Sequence, residues 1–185
     1  MRKTSHIYML VSVLIFILYV SLANAGDFGM KVGTVNPHSA ANTRCADPGY
    51  ALELTYDHPV ASWELLDGLV SFNFNLGTEL TYSLYGTAYR EKSYLERSDE
   101  RVEHSVNLSI LARPSIRFMA LEAYLITGAG PDWMEEDGLD TSITVGKGVT
   151  YHITDTIAVS AQKKDVFRHD TGRYSYFTGG ITITF

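Results

Sequence analysis

Several groups of residues in this 185-residue chain have side chains able to do chemistry. Asp132, Glu135, Glu136, Asp137 and Asp140 crowd one stretch with Trp133 and Met134, and clustered carboxylate oxygens are what hard cations take. Their spacing does not match an EF-hand, whose loop needs Gly at its sixth position and Glu at its twelfth. The other reading is a solvated acidic loop. Nucleophilic catalysis would need a Ser within reach of a His that an acid orients. The histidines are His6, His38, His58, His104, His152 and His169, and none is followed two positions later by Ser. His104 and Ser105 are adjacent, so on a strand they face opposite sides. His152 and Ser160 are neighbours across a short turn, but no acid–base–nucleophile set is visible there. We assign no catalytic residue, no metal site and no cofactor.

The elements that must position these residues are strands. Phe185, Ile183, Ile181 and Phe177 share one parity, while Thr184, Thr182, Gly180, Thr178 and Tyr176 share the other. Successive side chains on a strand point to opposite faces, so this is a strand with one apolar and one small, polar face. The split recurs: Val106, Leu108 and Ile110 oppose Asn107 and Ser109, and Leu52 and Leu54 oppose Glu53 and Thr55. Strands are expected at 28–35, 49–57, 78–93, 102–113, 117–129, 140–152, 156–167 and 173–185. These are long for a soluble sandwich, whose usual strand has ~5–6 residues. Short turns at Arg113-Pro114-Ser115 and Ile153-Thr154-Asp155 alternate with longer polar loops at Asn36–Pro48, Lys92–Arg101, Gly130–Leu139 and Arg168–Gly172. That alternation predicts a closed antiparallel transmembrane β-barrel of eight strands, with ten as the alternative.

Composition bounds the function. The chain is 45% hydrophobic and 19% charged. A single cysteine, Cys45, excludes an internal disulfide and a cysteine-rich zinc module. Residues 1–25 carry Arg2 and Lys3, an apolar run from Ile7 to Leu22, and Ala23-Asn24-Ala25. That is the layout of a cleavable secretory signal for the Sec pathway; a membrane anchor is the rival reading. Residues 26–185 are then the barrel domain, with 13 Lys+Arg against 21 Asp+Glu. A net charge of −8 argues against nucleic-acid binding.

The polar parity holds Lys31, Glu53, Glu79, Glu103, Arg113, Glu122 and Lys164. An eight-stranded barrel is just wide enough for side chains to fill it, so these charges should pair across the lumen. They form either a structural plug, which we expect, or a narrow ion path. The loop tips should expose Trp133, Glu135, Glu136, Asp137, Glu96, Arg97 and Arg168, where partner recognition usually resides.

A terminal Phe185 with Ile183, Ile181 and Phe177 behind it resembles the C-terminal signature of bacterial outer-membrane proteins. That resemblance implies recognition by the barrel-assembly machinery. With Thr81–Gly86, Arg113–Arg117 and Gly146–Tyr151, the mature chain resembles the small OmpA/OmpX/Ail-type barrels. The resemblance implies a Gram-negative outer membrane, contact with lipid and lipopolysaccharide, and non-enzymatic loops for adhesion to a host or surface ligand or for envelope integrity. In size and around Gly49–Tyr56 the chain also resembles the lipid A deacylases, but it lacks their His-x-Ser motif. A narrow channel and a lipid-modifying enzyme are the alternatives.

Two stretches resist the pattern. Residues 58–77 are expected to form an irregular or helical connection through Pro59–Asp67 and then the start of a long third strand. Lys147 shares the apolar parity of Val145 and Val149, which calls for a bulge or for snorkelling.

Overall fold

The computed structural model describes residues 26–38, 44–90, 97–134, 138–168 and 172–185, without the side chains of 44–47, 86–90 and 97–103. The leader expected at 1–25 lies outside the described residues. Eight antiparallel strands follow one another: β1 (Asp27–His38), β2 (Arg44–Leu65), β3 (Val70–Arg90), β4 (Arg97–Phe118), β5 (Leu121–Met134), β6 (Gly138–His152), β7 (Ile157–Arg168) and β8 (Gly172–Thr184). Each pairs with its neighbours in sequence, and β8 pairs back onto β1, so the sheet closes.

The register fixes the barrel's shape. Stepping straight across the ladders from Asp27 passes Asp57, Gly77, Leu111, Gly128, Thr144, Val166 and Tyr174. The path returns to β1 at Pro37, ten residues above its start at 27. With neighbouring strands ~4.8 Å apart, that stagger tilts the strands by roughly 40° from the axis.

The barrel is built inside out. Val32, Ile110, Leu125, Ile143 and Ile181 stand on the outer face, each more than half exposed, while Glu53, Glu79, Ser109 and Thr144 inside are 0% exposed. An apolar outer band with a polar filling suits lipid as solvent, and closure satisfies every backbone group without an edge.

Three expectations need correction. Pro59–Asp67 is neither helical nor irregular: β2 runs through it to Leu65. A register shift between Pro59 and Ala61 inserts a residue where proline has no N–H for the ladder, and the parity flips there. Below it Trp63 pairs with Phe72 and Leu65 with Val70, in the opposite phase to Leu52 and Leu54 above. The hairpin closes on Leu66–Leu69, with Asp67 (φ 55°) and Gly68 (φ 83°) at its centre and Leu69 N donating to Leu66 O. Positive φ at both central residues is what an Asp-Gly pair accommodates.

Arg113-Pro114-Ser115 is not a turn. It lies inside β4, whose ladder to β5 skips from the Ala112–Thr127 pair to Ser115–Tyr124. The strand therefore tolerates Pro114 on that side. The chain reverses instead at Met119-Ala120, where Met119 takes φ 53°. Finally, no register shift surrounds Lys147: its pairing with Leu125 and Lys163 is regular and the side chain is exposed. The bulge is excluded.

Candidate functional site

Alternation sends every second residue into the lumen, and the ten-residue stagger stacks those residues in tilted layers. Near the middle, Lys164 on β7 forms an ion pair with Glu53 Oε1 on β2 at 2.7 Å and donates to Glu79 on β3 and to Thr81 Oγ1 at 2.9 Å. Arg113 on β4 donates to Asp57 through Nη1 and to Glu79 Oε2 through Nη2 at 3.1 Å. Gln162 links a third cation to the cluster. Its amide donates to Glu53 Oε2 at 2.7 Å, while its carbonyl accepts from Lys31 Nζ and from Tyr124 Oη, both at 3.1 Å. Thr178 donates to Glu53 at 2.8 Å. Lys31, Lys164 and Arg113 thus balance Glu53, Glu79 and Asp57 out of water, the condition under which buried charge is tolerated.

Above this layer the lumen turns aromatic. Tyr85, Tyr174 and Tyr176 pack with Val35, Ala51, Met134 and Val166 in one buried cluster. Arg168 reaches into it and grips Asp132 with two bonds, Nε to Oδ2 at 2.6 Å and Nη2 to Oδ1 at 3.0 Å. Its guanidinium lies 3.9 Å from the centre of the Tyr174 ring. Asn107 donates to Asp132 at 3.2 Å and to Ser142 at 2.6 Å.

At the periplasmic mouth, Ser115 donates to Glu122 Oε1, and His152 Nε2 lies 2.8 Å from Glu122 Oε2. The carboxylate sits between hydroxyl and imidazole. A nucleophilic serine needs the imidazole in that middle position, to take its proton. A cavity of only 50 Å³ remains here, between Arg113, Glu122 and Thr182 among others. The geometry supports filling and bracing of the barrel.

Solved structures with the same architecture span nearly the whole chain. The chain is similar to Neisserial surface protein A at 13% identity and a TM-score of 0.58, covering 88% of this chain and 99% of that one. It is similar to the Yersinia pestis outer membrane protein Ail in a phospholipid bilayer nanodisc, at 13% identity and a TM-score of 0.50, covering 86% and 99%. It also resembles the outer membrane enzyme PagL at 10% identity and a TM-score of 0.50, covering 85% and 98%. This chain has the fold of the small eight-stranded outer-membrane barrels. No family model matches it, and no curated protein matches it in sequence.

Within this outer-membrane barrel fold, five of the expected lumen charges meet: Lys31, Glu53, Glu79, Arg113 and Lys164. Glu122 points inward but joins Ser115 and His152 lower down. The side chain of Glu103 is outside the described residues. Asp57, Gln162 and Thr178 complete the network. Their parity marked them as inward, but only the register shows that they reach Arg113 and Glu53.

Arg168 corrects the loop assignment. It ends β7 on the inward parity of Lys164 and Val166 and is buried against Asp132. With it goes the acidic loop as a unit, since Asp132 is already engaged and 0% exposed. Trp133 is on the outward parity at the top of β5, opposite Leu139, and only half buried. It belongs to a strand, not a free loop. Glu135, Glu136, Asp137 and Glu96 lie outside the described residues, as does the side chain of Arg97. Among the described residues no three His, Cys, Asp or Glu side chains group as a metal site. Phe177, Ile181, Ile183 and Phe185 all face outward along the closing strand.

Proposed function

We propose that this protein is a non-enzymatic surface protein of a Gram-negative outer membrane, a closed scaffold whose extracellular loops engage a host or surface ligand or stabilise the envelope. The observation that supports this reading best is the filled lumen. Lys164 and Arg113 cross-link β2, β3, β4 and β7 through Glu53, Glu79 and Asp57, and the aromatic cluster closes the end above. A barrel so filled has no ion path to offer. Its function then resides on its outside, and recognition on such scaffolds is carried by loops. One of the similar structures is named a surface protein, Neisserial surface protein A, which agrees with this direction.

The test is replacement of residues 39–43, 91–96, 135–137 and 169–171, singly and together, by Gly-Ser segments of equal length. Variants are expressed in an outer membrane and checked for folding by the change in SDS mobility between unheated and boiled samples. Adhesion of the cells to epithelial monolayers and to matrix-coated plates is then counted. At least one replacement should abolish adhesion or raise detergent sensitivity. Folded variants with all four segments replaced that still adhere and resist detergent as before would overturn the proposal.

A further inference from the structure

Outside the barrel, one feature contradicts its surroundings. Lys147 on β6 and Lys163 on β7 stand directly opposite each other on the outward face. Leu125 flanks the pair on one side and Phe177 on the other. Along β6 the outward residues are Ile143 and Val145 above Lys147, and Val149 and Tyr151 below, all exposed and apolar. Beneath Lys163 come Ala161, Val159 and Ile157. Lys147 therefore has apolar outward neighbours both above and below it on β6, while Lys163 has them below and Asp165 above. Lys147 forms no ion pair or hydrogen bond among the described residues, and Lys163 stands within electrostatic reach of Asp165. Asp165, the next outward residue of β7, is held by Arg173 at 2.8 Å and by Ser175 at 2.5 Å.

Like charges directly opposite on a ladder repel, and an ionisable group at membrane depth marks a functional site with a partner. The surface beside the pair is concave. Small residues at Ala123 and Ala161 leave an open trough of 760 Å³ walled by Ile116, Leu125 and Phe177.

We infer that this trough binds a long-chain fatty acid, its acyl chain lying across Ala123 and Ala161 and its carboxylate held between Lys147 and Lys163. One carboxylate between two ammonium groups removes their repulsion. A carboxylic acid also sheds its charge by protonation and so reaches this depth. Phosphate heads of phospholipid or lipopolysaccharide stay charged and remain at the interface.

The experiment uses the mature barrel refolded into phosphatidylcholine nanodiscs, with palmitate carrying a 13C carboxyl as the probe. The expected result is one saturable site per barrel with a distinct carboxyl resonance. Its affinity should fall by about tenfold or more in the K147Q/K163Q double variant. Ala161→Trp, which fills the trough and leaves both lysines, should also abolish it. Folding of each variant is verified by the SDS mobility change. Palmitate uptake equal to that of empty nanodiscs, or saturable binding unchanged in the lysine variant, would refute the site. Lysine-dependent saturation by phosphatidylglycerol or lipopolysaccharide without palmitate would refute this ligand, and lysine-dependent dimers would place a protein there instead.

Discussion

Replacing Lys164 by Met keeps the side chain's length and apolar stem while removing its charge, so it isolates the ion pairs. Lys164 is 1% exposed, and both of its carboxylate partners, Glu53 and Glu79, are 0% exposed. In the variant Glu79 retains Arg113, and Glu53 retains only the neutral donors Gln162 and Thr178. Removing one partner of a buried pair costs about 3–5 kcal/mol, mostly from the charge left behind. An exposed pair would lose only ~0–1 kcal/mol. The gap between these ranges decides the matter. The assay is urea unfolding of the refolded barrel in lipid vesicles, followed by tryptophan fluorescence at low and high salt. Salt should leave the loss nearly unchanged, because a buried pair is screened little. The compensated K164M/E53Q variant, which removes the carboxylate left without a cation, should recover part of it, with a coupling of about 1–3 kcal/mol. A loss under ~1 kcal/mol that shrinks further in salt would mean that water reaches the pair. The filled-lumen reasoning would then fail.

Other outcomes follow from the same geometry. Planar bilayers holding the refolded protein should show no salt-dependent conductance steps, and regular steps would contradict a lumen closed by the Tyr85–Tyr174–Tyr176 cluster. Gly180→Val should prevent closure, because a Cβ there collides with the Met30 carbonyl and the Lys31 Cα across the β1–β8 seam. Loss of the heat-modifiable band would report it, and a normally folded variant would refute the close approach. Gly68→Ala should cost only about 1 kcal/mol in the same urea assay, since an added Cβ meets nothing nearer than Glu64 Oε2 at 3.8 Å but φ is 83°. A loss of several kcal/mol would mean that this hairpin does more than turn.

The alternation of Ile181, Ile183 and Phe185 against Thr182 and Thr184 dictates a one-faced strand wherever it sits. Seven more such segments and their connections sufficed for an eight-stranded, inside-out barrel. Face is a local property with a period of two, so it is legible without the fold. The same locality explains the errors. A single extra residue at Pro59 reverses the phase, making one continuous strand look like a break, although Asp67-Gly68 held the true turn signal. Pro114 reads as a turn until its neighbours show that the ladder skips it.

Which inward charges meet is not local. It depends on the ten-residue stagger, which brings Lys164 to Glu53 and Glu79 from strands far away in sequence. For the same reason Arg168 reads as a loop tip and is found inside, because its partner Asp132 is on β5. The sequence by itself determined how each side chain faces, since that follows from the backbone's own period. Only the closed tertiary structure decided its partner, since pairing across a barrel is set by how far the sheet is sheared when its first and last strands join.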